Sequence, residues 1–547
     1  MSGTAPPRGF LLQPGYRVSG GVPVVRLFGR LEDGAPFLIE DDRSRPYFFV
    51  SADAAGALAG EAGVRVEPSP LRDLRGGALA RVEVALPADV PPLRERLAAR
   101  GVRALEADVR FSYRYLIDRG IRAGVRILGE PEHDGRLVRF RNPELLAADE
   151  VRPSLRVLSL DIETSPDASR LYAFALAGCG VEEVHLECAR EVAGARTHSG
   201  EPALAAALAL RIRDLDPDVI VGWNVVDFDL RVIVRRCEAL RVPADLGRAP
   251  GAIRFLEDPG FTRQSRAEIP GRVVLDGLGP VREALRLVDY RLETVARAVL
   301  GRGKKIDQDA PDAAAEIARL WREDPEALAA YNLEDARLVL EILEREGLLA
   351  LTVERSLLSG MPLDRVSASV ASFDRLYLPE LRRRGRVAPS VESREGDATV
   401  QGGALLEPVP GLFRHVAVFD FKSLYPSLIR TFSLDPLAHA TAGAGAVEAP
   451  NGARFDREGA ILPGVIDAFL ARREAAKTRG DRHADQAIKI MMNALFGVLG
   501  TPACRFFDPA VANAITGFGQ QTLHWTADAF AAAGVRVLYG DTDSVSP

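Results

Sequence analysis

Apolar and polar positions alternate in short runs through the first 150 residues, then lengthen into buried-strand and helical patterns. Val22 to Arg30 and Ala35 to Val50 read as strands joined at Asp33-Gly34, a strong hairpin signal. Pro91-Pro92 opens a helix that Gly101 closes. From about 151 to 345, apolar runs alternate with helical patterns, which predicts an α/β domain. Val157-Leu158-Ser159-Leu160 is an apolar strand running into Asp161-Ile162-Glu163, and a period of two places both acids on one face. Asp218 to Asn224 is a second strand, leading through Asp227-Phe228-Asp229 into a helix from Leu230 to Leu240. Tyr331 and Asp335, four apart on a third predicted helix, share a face. Arg382 to Ala404 reads as a linker or loop. A further unit begins with the strand Val416 to Phe421. Pro463 to Arg479 and Ala484 to Leu499 read as two helices separated by Gly480-Asp481. Near the end, the run Val535, Val537, Leu538, Tyr539 bends at Gly540 into Asp541-Thr542-Asp543-Ser544.

A chain of 547 residues is too long for one core. At about 150 residues per domain, three or four are expected. The chain is 47% hydrophobic and 27% charged, a globular composition. No run approaches the roughly 18 apolar residues of a membrane span, and the first residues lack a signal pattern. The cysteines Cys179, Cys188, Cys237 and Cys504 show no paired spacing. They predict neither a disulfide framework nor a zinc site, so a reducing cytoplasm is expected. The net charge of -6 argues mildly against nucleic acid, but local charge decides such binding. The local concentrations are Arg382-Arg383-Arg384 with Arg386, which read equally as a solvated helix face, and Arg472-Arg473.

Two constellations carry chemistry. In the α/β domain, Asp161, Glu163, Asp229 and Asp335 each have a bland explanation: a strand exit, a helix N-terminus with favoured acids, a surface acid beside a half-buried tyrosine. Together, four carboxylates suit two hard cations about 3.5–4 Å apart, as in two-metal phosphodiester chemistry, with Tyr331 orienting a water. In the later unit, the acids Asp541 and Asp543 follow an earlier strand ending in Asp420. Lys489, Asn493 and Gly497 recur every four residues along one helix stripe, and Arg473 and Lys477 make the same step on the preceding helix. Three cations and an amide facing one groove suit a triphosphate clamp, and no Walker A loop occurs. Rival readings are a basic solvent face for the helices, a polar hairpin turn for Asp541-Thr542-Asp543, and the Asp-x-Asp of a metal-dependent glycosyltransferase.

These residues carry a resemblance. Asp161-Ile162-Glu163, Asn224 to Asp229 and Tyr331 to Asp335 resemble the three motifs of the DEDDy 3′→5′ exonucleases. Asp420-Phe421-Lys422-Ser423-Leu424-Tyr425-Pro426-Ser427 resembles motif A of family B DNA polymerases. Lys489 through Asn493 to Phe496-Gly497 resembles motif B, and Tyr539 to Ser544 resembles motif C. Gln401-Gly402-Gly403 is similar to the family's linker motif. Gly222-Trp223-Asn224-Val225-Val226 and Thr501 to Pro509 resemble its bacterial members. The resemblance covers essentially the whole chain. It implies an N-terminal β-rich domain (1–150), an RNase H-like exonuclease domain (151–350), linker helices with the first part of a palm (351–462), helical fingers (463–500) and a second part of the palm (501–547).

The implied function is DNA-directed DNA polymerisation with 3′→5′ proofreading, on primer-template DNA, dNTPs and a single-stranded 3′ end. Two Mg²⁺ ions per site are implied, with Mn²⁺ as a substitute. Asp161, Glu163, Asp229 and Asp335 would hold one pair. Asp420, the Phe421 carbonyl and Asp543, with Asp541 beside them, would hold the other. Ser423, Leu424 and Tyr425 would line the nucleotide, with Tyr425 excluding a 2′-hydroxyl. Arg473, Lys477, Lys489 and Asn493 would hold its triphosphate. Phe496 stands where motif B usually has tyrosine. Val545-Ser546-Pro547 departs from the family's continuation, which predicts a truncated or frameshifted reading frame, an absent thumb, and a sliding-clamp contact only if a further C-terminal segment exists. The alternatives are therefore an exonuclease alone or an inactive DNA-binding fragment. The expected location is the bacterial cytoplasm, at the nucleoid.

Overall fold

The computed structural model describes residues 5–58, 60–148, 151–257, 265–303, 313–391 and 400–547. The first unit contains a seven-stranded sheet and a separate three-stranded sheet. The hairpin at Asp33-Gly34 joins Val22–Leu31 to Pro36–Asp41 in antiparallel register. Gly34 has φ +89° there, and Asp33 Oδ1 accepts the Ala35 N–H at 2.9 Å. The expected strand from Ala35 to Val50 is broken in two. Pro36–Asp41 stays in the larger sheet, while Tyr47–Ser51 moves to the smaller one. The polar stretch Asp42-Arg43-Ser44-Arg45 ends in Pro46, which cannot donate to a ladder, and Asp41 is buried at the corner, bonded to Arg43 and to the Tyr115 hydroxyl. The helix Val90–Ala99 opens on Pro91-Pro92, and Gly101 follows it with φ +74°.

The second unit is built on an eight-stranded mixed sheet. Val157–Thr164 lies at its centre, antiparallel to Leu171–Gly178 and parallel to Val219–Gly222, which is parallel in turn to Arg272–Asp276. These strands are nearly continuous apolar runs because both faces are covered. Leu158, Leu160 and Ile162 pack against the helices Glu201–Leu215 and Asp229–Leu240. On the other face, Val219, Val221 and Val273 meet Leu338, Val339 and Ile342 of the long helix Pro325–Arg345. Gly222 ends its strand where a Cβ would come within 2.7 Å of the Leu160 carbonyl oxygen. The absence of a side chain there lets the following loop close over the central strand.

Helix Ser369–Arg383 extends through the beginning of the segment expected to be a loop. Residues 392–399 of that segment lie outside the described residues. Its arginines are tied down by the fold. Arg382 reaches the buried Glu106 of the first unit at 3.0 Å, Arg386 donates to the Asp73 carbonyl at 3.0 Å, and Arg383 and Arg384 pair with Glu380 of their own helix. Arg505, also buried, joins Asp108 of the first unit to Asp374 of this helix.

The third unit contains an antiparallel pair of helices, Leu462–Thr478 and Arg482–Leu499, with Gly480-Asp481 between them and the Asp481 carboxylate capping the second at Ala484 N–H. A four-stranded sheet runs in the order Leu405–Leu406, Tyr539–Asp541, Ser544–Ser546, Phe419–Asp420. The expected strand Val416 to Phe421 narrows to Phe419–Asp420, the two residues in ladder register with Val545 and Ser544, while Ala417 and Phe421 on either side donate single bonds to the carbonyls of Pro547 and Asp543. No described helix is long and apolar enough to cross a membrane.

Candidate active sites

Asp161 and Glu163 project from one face of the central strand of the second unit, and Asp335 arrives from helix Pro325–Arg345. One carboxylate oxygen from each lies within 4.8 Å of the others. Such crowding of hard oxygen donors suits a hard divalent cation. Asp229 lies beneath this group. It opens its helix, is 3% exposed, and accepts the Ile162 N–H at 3.1 Å. Burial, and then the neighbouring Asp161, push its pKa well above the usual carboxylate range. Tyr331 is buried one turn before Asp335. Burial first, then Asp335, Glu163 and Asp161, raise its pKa, so the phenol keeps its proton and hydrogen-bonds Asp335.

Two polar residues that the sequence pattern did not single out complete this site. Asn332 is fully buried, and its amide donates to Asp161 Oδ2 at 2.6 Å. Asp276 ends strand Arg272–Asp276 and accepts the backbone N–H groups of Asn224 and Leu278, each at 3.1 Å. It thereby pins the loop in which Asn224 adopts φ +61° and from which Asp229 enters its helix. The only sequence signal for either was a polar residue in an apolar run. A cavity of about 510 Å³ opens over the acids, with Phe228, 40% exposed, and Arg291 in its lining.

The second cluster stands on the four-stranded sheet. Asp420 and Asp541 both lie opposite Ser544, one from each side. Residues in register share a face, so the two carboxylates point the same way across two strand spacings, about 10 Å. Asp543 lies in the hairpin turn that joins Tyr539–Asp541 to Ser544–Ser546, where its carbonyl accepts the Phe421 N–H at 2.7 Å. Thr542 takes φ +51° in that turn and donates from Oγ1 to Asp541 at 2.9 Å. Gly403 presses against it: a Cβ there would lie 2.4 Å from the Thr542 hydroxyl. Among the described residues, this cluster does not gather its oxygens as tightly as the first.

Around the sheet, Tyr425 stacks on Phe496 with ring centroids 4.2 Å apart. Burial, then Asp543 and Asp541, raise its pKa. Ser423 takes φ +55° before the helix Leu424–Phe432, and Leu424 is buried. Lys489, Asn493 and Gly497 form one exposed stripe on helix Arg482–Leu499. The other two expected clamp residues already have acidic partners. Arg473 holds Asp485 at 2.6 Å, joining the two helices, and Lys477 holds Glu474 at 3.3 Å. Glu474 also lies 3.8 Å from Lys422.

A larger cavity, about 810 Å³, separates the first and second units, with Arg17, Arg94, Arg110 and Arg254 among its lining residues beside Tyr16 and Tyr113. These arginines are scattered over more than 200 residues of sequence, so no charge run announced them.

The model of DNA polymerase family B matches residues 371–546, and that of the DNA polymerase family B exonuclease domain matches residues 196–295. The chain belongs to DNA polymerase family B. It is similar to DNA polymerase II of Escherichia coli (strain K12), 37% identical over 533 residues that cover 94% of this chain and 66% of the relative. It is also similar to DNA polymerase 2 of Aeropyrum pernix, 28% identical over 98% of this chain and 71% of the relative. The solved structure of the family B DNA polymerase from the archaeon Pyrobaculum calidifontis superposes with a TM-score of 0.78 at 29% identity, covering 98% of this chain and 74% of that one. The chain thus spans about two thirds of the length of its bacterial relative. Membership of this family displaces the glycosyltransferase reading of Asp541-Thr542-Asp543.

Proposed function

We propose that this chain catalyses template-directed addition of dNTPs to a primer 3′ end and removes mispaired termini with a separate 3′→5′ exonuclease centre. The observation that carries the proposal is the presence of two acid clusters on two sheets of one chain. Asp161, Glu163 and Asp335 gather within 4.8 Å, and Asp420 is fixed beside Asp543 through the 2.7 Å bond from Phe421. Mg²⁺ fits both donor sets, which are all oxygen. Asp161, Glu163, Asp229 and Asp335 would hold it in one site. Asp420, the Phe421 carbonyl and Asp543, with Asp541 beside them, would hold it in the other. When bound, the ions supply charge stabilisation to an in-line displacement at phosphorus.

The protein's own groups do the rest. In the exonuclease centre, the protonated Tyr331 hydroxyl orients the attacking water, and Phe228 offers its exposed ring to a frayed terminal base. In the polymerase centre, Tyr425, braced by Phe496, forms the floor beneath the sugar of the incoming nucleotide, where its ring leaves no room for a 2′-hydroxyl. Ser423 and Leu424 precede it at the turn of that helix. Lys489 and Asn493 face the triphosphate. Arg473 and Lys477 join them by exchanging Asp485 and Glu474 for phosphate oxygens. The arginine-lined cavity between the first two units offers phosphate contacts to a single strand of the template. A second site for hydrolysis raises accuracy beyond what pairing alone supplies. A bacterial cytoplasm, near the nucleoid, is the location such a substrate requires.

One observation favours a narrower reading, an exonuclease without synthesis. The polymerase acids stand on an open sheet, whereas the exonuclease acids converge in a covered site. A primer-template assay with Mg²⁺ and dNTPs separates the two. Primer extension supports the full proposal, degradation without extension supports the narrower reading, and neither activity in a folded protein refutes both.

A further inference from the structure

Asn332 sits inside helix Pro325–Arg345, fully buried. Apolar residues surround it along the helix, among them Leu328, Ala329 and Ala336. Asparagine is poorly suited to such a position. It is disfavoured in helix interiors, and a buried amide normally finds partners at both ends. Here it finds one. Nδ2 donates to Asp161 Oδ2 at 2.6 Å, and Oδ1 has no hydrogen-bond partner. A leucine of similar shape would fill the same space and remove the unmatched Oδ1, losing only the donor to Asp161. Packing therefore does not account for the amide; the contact with Asp161 does.

We propose that Asn332 is a positioning residue of the exonuclease centre, fixing Asp161 through one carboxylate oxygen and leaving the other for a hard divalent cation. The inference rests on the exonuclease reading given above. Carboxylates crowded together repel and tend to turn apart unless something holds them. A donor on one oxygen sets the direction of the Asp161 carboxylate, as outer partners do for ligands in metal sites generally. Asn332 is fully buried and does not line the cavity over the acids, so it acts through the Asp161 carboxylate.

The test is Mn²⁺ binding, followed by electron paramagnetic resonance, in the full chain carrying Asp420→Ala and Asp543→Ala so that the polymerase centre does not contribute. In that background, Asn332→Leu is compared with the unaltered residue and with Asp161→Ala. The expected result is a loss of Mn²⁺ affinity of about tenfold for Asn332→Leu, with a metal-free melting temperature equal to or above that of the parent. In the otherwise unaltered chain, the Mg²⁺ concentration that half-saturates DNA degradation rises by a similar factor, while the rate at saturating Mg²⁺ falls less. A purely structural role predicts the reverse: a lower melting temperature and unchanged affinity. If Asn332→Leu does not fold, Asn332→Ala serves the same comparison. A folded variant whose Mn²⁺ affinity stays within about twofold of the parent overturns the proposal. If Asp161→Ala also leaves binding unchanged, the exonuclease reading itself fails.

Discussion

On the function proposed above, the two acid clusters meet the same chemical problem in different settings. The exonuclease acids are braced: a central strand flanked by others supplies Asp161 and Glu163, two helices supply Asp229 and Asp335, Asn332 holds Asp161, Tyr331 holds Asp335 beside the cavity, and Asp276 pins the loop that leads to Asp229. The polymerase acids stand on the exposed face of a short four-stranded sheet, and their cationic partners lie on a helix pair that bonds partly to itself. Enclosure builds a site whose geometry exists before substrate arrives. Exposure leaves room for a duplex and a nucleotide, at the cost of a geometry that substrate must complete. If this contrast is right, damage to the supporting residues should be severe in the first site, and release of internal contacts should help the second.

The largest effect is expected inside the enclosed site. Asp335→Ala, which removes a ligand of the proposed cation, should lower exonuclease turnover by about a thousandfold, and Tyr331→Phe should lower it by about a hundredfold, the lower end of the range for a positioned proton-handling group. Rapid-quench degradation of a single-stranded oligonucleotide measures both. Primer extension by the same variants should be unchanged, and a matching loss of extension would break the contrast.

The joint between the units comes next. Arg505 is enclosed by Asp108 and Asp374, whose charges keep it ionised against the opposing effect of burial. Arg505→Met leaves two acids without their cation and should cost about 3–5 kcal/mol, read as a lowered urea midpoint. A change below about 1 kcal/mol would show that the joint is not structural.

The pH dependence of cation binding should be strongest in the enclosed site. The raised pKa of Asp229 means that the metal-free protein retains a proton there above the ordinary carboxylate range. Stability contributed by the neutral form is full at low pH and is lost as pH rises through that raised value. A cation that needs the ionised form displaces the proton, so its affinity increases with pH over the same window. The rise in melting temperature on adding Mg²⁺ should therefore grow as pH is raised from the ordinary carboxylate range upward, and Asp229→Asn should remove most of that growth.

The smallest effect is expected at the open site. Asp485→Asn frees Arg473 from its 2.6 Å partner and should lower the KM for dNTP about two- to fivefold, in line with the worth of a partly exposed ion pair. A rise in KM would mean that the pair shapes the site and does not compete with triphosphate.

How much of this was legible in the sequence follows the same division. Asp161, Glu163, Asp229 and Asp335 were readable because each marks the end of a strand or the face of a helix with a clear period. The helix pair around Gly480-Asp481 was readable from its breaker and cap. The break of the strand after Asp41 is marked by the polar run Asp42 to Arg45 and by Pro46, but apolar residues resume at Tyr47, and the change of sheet shows only in the partner strands. Asn332 and Asp276 were missed because their roles lie in contacts across 171 and 52 positions of chain, which no local pattern records. The tightly bound arginines at 382–386 attracted notice as a charge run, while the arginines lining the cavity between the first two units, far apart in sequence, did not.

The central claim is that one chain carries two independent metal-dependent centres. It is tested most directly by crossing Asp161→Ala and Asp420→Ala on a 5′-labelled primer-template with Mg²⁺ and dNTPs. Asp161→Ala should extend the primer and leave a mismatched 3′ end intact, and Asp420→Ala should degrade the primer without extending it. Loss of both activities in either folded single variant, or persistence of either activity in the double variant, would contradict the account.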